Sequence, residues 1–150
     1  MNMKRFVLAA SLIFIFALIW NAIVHMVILR EANVALSALV RPEPDRSIVL
    51  SLLQTAGLSA IFVLSYVWSR RAGTLKGGLA HGALFGVLAG LLVDLNQYIL
   101  YPIPAGLAAA WFAFGFAEFC IYGMIAALVY RQDAQPCNPP DLAQKAAQGR

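Results

Sequence analysis

The chain has 150 residues, of which 61% are hydrophobic and 12% charged, with a formal net charge of +4. A soluble domain carries roughly 25% charged residues, so this one lacks the polar surface to face water on all sides. A soluble protein with an unusually apolar core is excluded by the distribution, because the apolar residues come in long uncharged runs.

Four runs follow one another along the chain. The first, 6–29, has no Asp, Glu, Lys or Arg. Lys4 and Arg5 precede it in the manner of a signal peptide, but the run is too long for an h-region and no small-x-small cleavage site follows at the expected place, so it reads as a retained helix. The loop 30–46 opens with good helix formers, Arg30 to Leu36, so the first helix either protrudes or turns to lie on the surface; Pro42 and Pro44 end it. The second run, 47–69, is also uncharged, and a short basic loop with Arg70, Arg71 and Lys76 follows. The third, 77–101, contains only Asp94, and the fourth, 105–130, only Glu118. Pro102 and Pro104 make the turn between them tight, which predicts antiparallel neighbours. Each run exceeds the roughly 20 residues that cross a hydrocarbon core about 30 Å thick. Residues 14–19 are apolar in succession and do not alternate, so the spans are helices and not barrel strands. The expectation is an all-α, antiparallel four-helix membrane bundle over 1–131, with helices at about 6–29, 47–69, 77–101 and 105–130. The Pro-, Gln- and Ala-rich tail 132–150 is expected to be a disordered cytoplasmic extension.

Orientation follows from Lys and Arg. Eight lie at the N-terminus, in the second loop and in the tail, against three in the first loop, Arg30, Arg41 and Arg46. Positive residues stay inside, which places both termini in the cytoplasm. The net charge then reflects membrane orientation and calls for no nucleic-acid partner.

The third run carries a row of every fourth residue: Gly78, Gly82, Gly86, Gly90, Asp94 and Tyr98. Such a row is a ridge on a helix, and four glycines in it form a groove where another backbone approaches closely. Asp94, on the same ridge, is expected to face the bundle.

With the termini inside, depth is read at about 1.5 Å per residue. Asn21, Gln54 and Asp94 fall roughly 10–12 Å below the outer boundary, with His25 one turn above Asn21 and Gln97 on the Asp94 face. Glu118 falls roughly 20 Å down, close to the midplane. These six form a polar layer with contributions from all four helices. An ionised carboxylate in lipid costs a few kcal/mol even on lenient scales, so Asp94 and Glu118 must be paired, protonated or wet. His25 is the expected partner of Asp94, and His81, between glycines, is expected at the inner interface. Cys120 and Cys137 are not spaced as a redox or metal pair. There is no nucleophilic triad, phosphate loop or local metal-ligand motif, so no catalytic or metal residue is assigned, and the sequence identifies no cofactor.

The stretch Gly82-Ala-Leu-Phe-Gly-Val-Leu-Ala-Gly-Leu-Leu-Val-Asp-Leu-Asn, with Trp20-Asn21 and His25 before it, resembles small four-span bacterial inner-membrane proteins of unknown function. The resemblance implies an inner-membrane location and no particular activity.

Three functions fit the sequence. A non-enzymatic accessory protein or complex subunit suits the glycine ridge, which would pack on a second copy or on a larger membrane complex. An oligomeric transporter of small solutes or protons would use Asp94 and Glu118 as ionisable steps, with His25 as a gate. A membrane-embedded enzyme acting on a lipid or quinone is the third, and enzymatic activity is the less expected outcome.

Overall fold

A computed structural model describes residues 2–39, 41–42, 45–69 and 73–131. The expected tail 132–150, together with Pro44, Arg70 and Arg71, lies outside the described residues. All regular structure among the described residues is helical, and four helical stretches are long and apolar enough to cross a membrane: Met3–Ile28, Ile48–Trp68, Leu75–Leu100 and Ala105–Val129.

The starts of the helices follow from local chemistry. Helix α1, Met3–Ile23, begins ahead of the uncharged run because the Asn2 side chain accepts the Arg5 amide at 3.3 Å. It runs into a π-helical turn, Val24–Ile28, and the chain then forms a separate short helix, α2, Arg30–Ala35. Ser47 caps α3, Ile48–Trp68, by accepting from the Leu50 amide at 3.2 Å, and Thr74 caps α4, Leu75–Ala89, by accepting from the Gly77 amide at 3.0 Å. Between them Gly73 takes a φ of 91°, open mainly to glycine, and its amide donates to the Tyr66 hydroxyl at 2.9 Å. The α4 span also passes through a π-helical turn, Gly90–Asp94, before α5, Leu95–Leu100. Helix α6, Ala105–Val129, starts at Pro104, whose fixed φ suits a helix entrance.

Helix α4 lies along α6 over its whole length. A β-carbon at Gly78 would fall on the Gly123 carbonyl, one at Gly82 on the Phe119 carbonyl, and one at Gly86 within 2.9 Å of the Phe116 Cα. Numbers rise on α4 as they fall on α6, so the two run in opposite directions. The seam is reciprocal, since a β-carbon at Gly123 would strike the Gly78 backbone. With no side chains between them the backbones come close enough for dispersion to act directly, the usual source of helix association in lipid.

The remaining core is at the end of the bundle where α1 starts and α6 stops. There Ala9, Ile13 and Ala17 of α1, Phe62, Val63 and Tyr66 of α3, and Phe119, Tyr122, Ala126 and Ala127 of α6 are buried together. Arg5 Nη1 donates to the Arg131 carbonyl at 3.4 Å, which brings the two ends of the described chain together at this end. His81 sits beside this core. It is half-buried among Phe62, Tyr66 and Phe85, with its Nε2 3.1 Å from the Ser65 hydroxyl. The Ser65 hydroxyl already donates to the Phe62 carbonyl at 2.8 Å, so its remaining role toward His81 is acceptor.

Candidate functional site

Toward the α2 end the packing loosens. No residue of α3 from 48 to 58 is buried, whereas Ser59, Phe62, Val63 and Tyr66 beyond it are. The helices border an open cavity of about 790 Å³ there. Asn21 and His25, Gln54, Asp94 and Gln97, and Glu118 all line it, contributed by the first to the fourth span respectively. Its other walls are apolar and rich in aromatic rings, Trp20, Phe85, Trp111, Phe114 and Phe119 among them.

Glu118 is the most enclosed of the six, with 8% of its surface exposed. The Asn21 Nδ2 donates to its Oε1 at 2.7 Å, and the Tyr122 hydroxyl donates to the same oxygen. The Asn21 amide is itself aimed by a second bond, Nδ2 to the Ala17 carbonyl one turn back, at 2.9 Å. Oε2 receives no protein donor among the described residues, so half of the carboxylate's acceptor capacity is unused. Asp94 makes no hydrogen bond or ion pair among the described residues; Gly115 of α6 leaves room for it, since a β-carbon there would sit 3.9 Å from Asp94 Oδ2. Gln54 and Gln97 have no side-chain hydrogen bond among the described residues either.

His25 does not pair with Asp94. Its Nδ1 lies 3.3 Å from Asn33 Nδ2, which also donates to the His25 carbonyl at 3.1 Å. An amide nitrogen can only donate, so Nδ1 is the acceptor in this arrangement and Nε2 carries the ring proton. His25 and Trp111 also border a second cavity of about 540 Å³ that contains Arg30 and Arg46, and so form the partition between the two. The Trp111 Nε1 is buried and has no acceptor among the described residues.

Two features depart from the geometry read off the sequence. Depth counted from helix ends separates Asn21 from Glu118, yet their side chains are bonded; a residue count places a backbone along its own helix and does not include the reach of two side chains. Secondly, the row of every fourth residue does not continue undisturbed to Asp94. The Leu95 amide bonds back to the Gly90 carbonyl, five residues away, so an extra residue enters the turn and rotates the later residues off the glycine ridge. The first span does the same, the Leu29 amide reaching the Val24 carbonyl at 2.8 Å. His25 and Asp94 therefore each sit within a π-helical turn beside one cavity, and such turns are frequent at functional sites.

The sequence alone did not point to three participants. Tyr122 is one turn from Glu118, and that spacing would have found it. Asn33 reaches His25 only because the chain breaks after the π turn, and Trp111 had no mark distinguishing it from other apolar residues. Among the described residues no three of His, Cys, Asp and Glu gather as metal ligands. Compared with known protein families, curated proteins and solved structures, the chain matches none, so function has to be argued from the site itself.

Proposed function

We propose that the chain is a carrier of a small solute in the cell inner membrane. In this reading the four spans form an antiparallel bundle with both termini in the cytoplasm, supported by the eight cationic residues on that side against three on the other. The α2 end then faces outward and the cavity occupies the outer half of the membrane. The observation that carries the reading is the convergence of six polar side chains on one cavity of about 790 Å³, a volume ordinary for a small-molecule site. Polar groups inside a span are costly, and those that also line a cavity mark solute or proton pathways.

The glycine ridge lies against α6 of the same chain, so an accessory or subunit role, the second reading, would use other surfaces of the bundle. A membrane-embedded enzyme is a further reading, in which Asp94, Glu118 or His25 would supply the reactive groups, since no Ser, Thr, Cys or Lys lines the cavity. Four helices provide few walls for a pathway, so association with a second copy belongs to the proposal. Purified chain reconstituted in vesicles tests it. Solute or proton movement is expected in wild type and lost in Asp94→Asn; identical behaviour of the two across candidate solutes refutes the reading.

A further inference from the structure

The charges and walls of the cavity specify more than a polar solute. We infer that it takes an amphiphilic organic cation, admitted from the lipid between the first half of α3 and the second half of the α4–α5 span. This rests on the cavity being a solute site. Two carboxylates, Asp94 and Glu118, line it, with no Lys or Arg. Two arginines, Arg30 and Arg46, belong to the other cavity, beyond the His25–Trp111 partition. An anion would meet two acids with nothing to compensate it. A neutral solute would leave both acids as they are. A cation offsets the charge they carry when ionised, and the free Oε2 of the nine-tenths-buried Glu118 gives it a contact that the described residues do not fill.

The walls favour a large soft cation over a metal ion. Trp20, Phe85, Trp111, Phe114 and Phe119 present rings, whose faces attract cations, most strongly where water is excluded. Bare metal ions need several oxygen ligands at fixed distances, and no such group is gathered among the described residues.

The route of entry follows from the packing. Leu58, Leu88 and Leu92 line the cavity, yet 39%, 43% and 70% of their surfaces are exposed, so the cavity is open where α3 and α4 part. In a bilayer that opening faces acyl chains, which admits molecules already dissolved in lipid. At the α2 end His25, held by Asn33, lies on the border with the cavity that holds Arg30 and Arg46.

Full-length chain in a mild nonionic detergent is titrated with tetraphenylphosphonium and, separately, with tetraphenylborate, an anion of nearly the same shape, by calorimetry and tryptophan fluorescence. The cation is expected to bind saturably, and at least about tenfold more tightly than the anion. Asp94→Asn and Glu118→Gln should each weaken it at least about tenfold, and lowering the pH should weaken it as the carboxylates protonate. Asp94 makes no hydrogen bond among the described residues, so its variant tests the inference even if Glu118→Gln does not fold. Gly115→Leu, which projects into the cavity, should abolish binding of both ions. Equal binding of the two ions, or cation binding unchanged in Asp94→Asn, overturns the inference and leaves the cavity standing as a solute site. Binding of neither ion overturns it too, and if solute flux in Gly115→Leu vesicles then equals wild type, the carrier reading falls with it.

Discussion

Placing one methyl group on Gly82 sets two opposed quantities against each other. Alanine is the better helix former by about 1 kcal/mol, which favours the variant. Against this, the new carbon would lie 2.9 Å from the Cys120 Cα and from the Phe119 carbonyl carbon, and closer still to the carbonyl oxygen. Carbon atoms rest at about 3.5–4.0 Å, and these neighbours are backbone, with no rotamer to yield. The helices would have to part by about 1 Å, and a gap of that size forfeits a quarter to a half of each contact along the seam. Overpacking of this kind costs about 1–3 kcal/mol, and a backbone obstacle places Gly82 at the top of that range. The expected net effect of Gly82→Ala is a loss of about 2 kcal/mol. Gly57 supplies the contrast, since a β-carbon there meets nothing within 4 Å. Gly57→Ala should keep the propensity gain and stabilise by up to about 1 kcal/mol. Equilibrium unfolding in mixed detergent micelles, followed by tryptophan fluorescence, measures both. The close seam is refuted if the two substitutions shift stability in the same direction by similar amounts.

Three other outcomes are expected at the site and in the topology. Removing the Tyr122 hydroxyl by Tyr122→Phe takes away a hydrogen bond within α6 and should cost about 0.5–1.5 kcal/mol, the usual net worth of one such bond. Because Asn21 donates to the same oxygen, a double-mutant cycle of Tyr122→Phe with Asn21→Ala should show coupling, and strict additivity would contradict the shared acceptor. Asn33→Ala should release the His25 ring, changing the Nδ1 shift in ¹⁵N-histidine spectra while moving stability by less than about 1 kcal/mol, since the contact is exposed; an unchanged shift would argue against the bond. Reporters fused near Asp45 and at Arg150 should signal from opposite sides of the membrane, external and cytoplasmic, and a cytoplasmic signal at Asp45 would invert the proposed orientation.

The four long apolar helices were legible from the uncharged runs alone, because a hydrocarbon core demands length and apolarity before any particular packing. The glycine row was visible as a spacing, but nothing in a spacing states whether the facing helix belongs to the same chain. Only the folded structure places Gly123 opposite Gly78. Height was the least legible property. Counting residues assumes level ends and an unbroken 3.6-residue period, and the turns at Val24–Ile28 and Gly90–Asp94 break the second assumption where His25 and Asp94 lie. Asn21 was legible as a polar residue at depth, while its bond to Glu118 depends on how two helices far apart in sequence are placed against each other.

The glycine seam also fixes how variation in this chain is to be understood. At positions 78, 82 and 123 the opposing backbone admits hydrogen and nothing larger, whatever the cavity binds. Invariance there would record the demands of folding and carry no information about function. The positions free to drift without loss of the fold are those around the cavity, such as Gln54, Gln97 and Gly115, where the structure sets no comparable steric limit. In a set of related sequences, an exchange of acid for base or of ring for aliphatic chain around the cavity would therefore mark a change in what the proposed site accepts, on an unchanged frame.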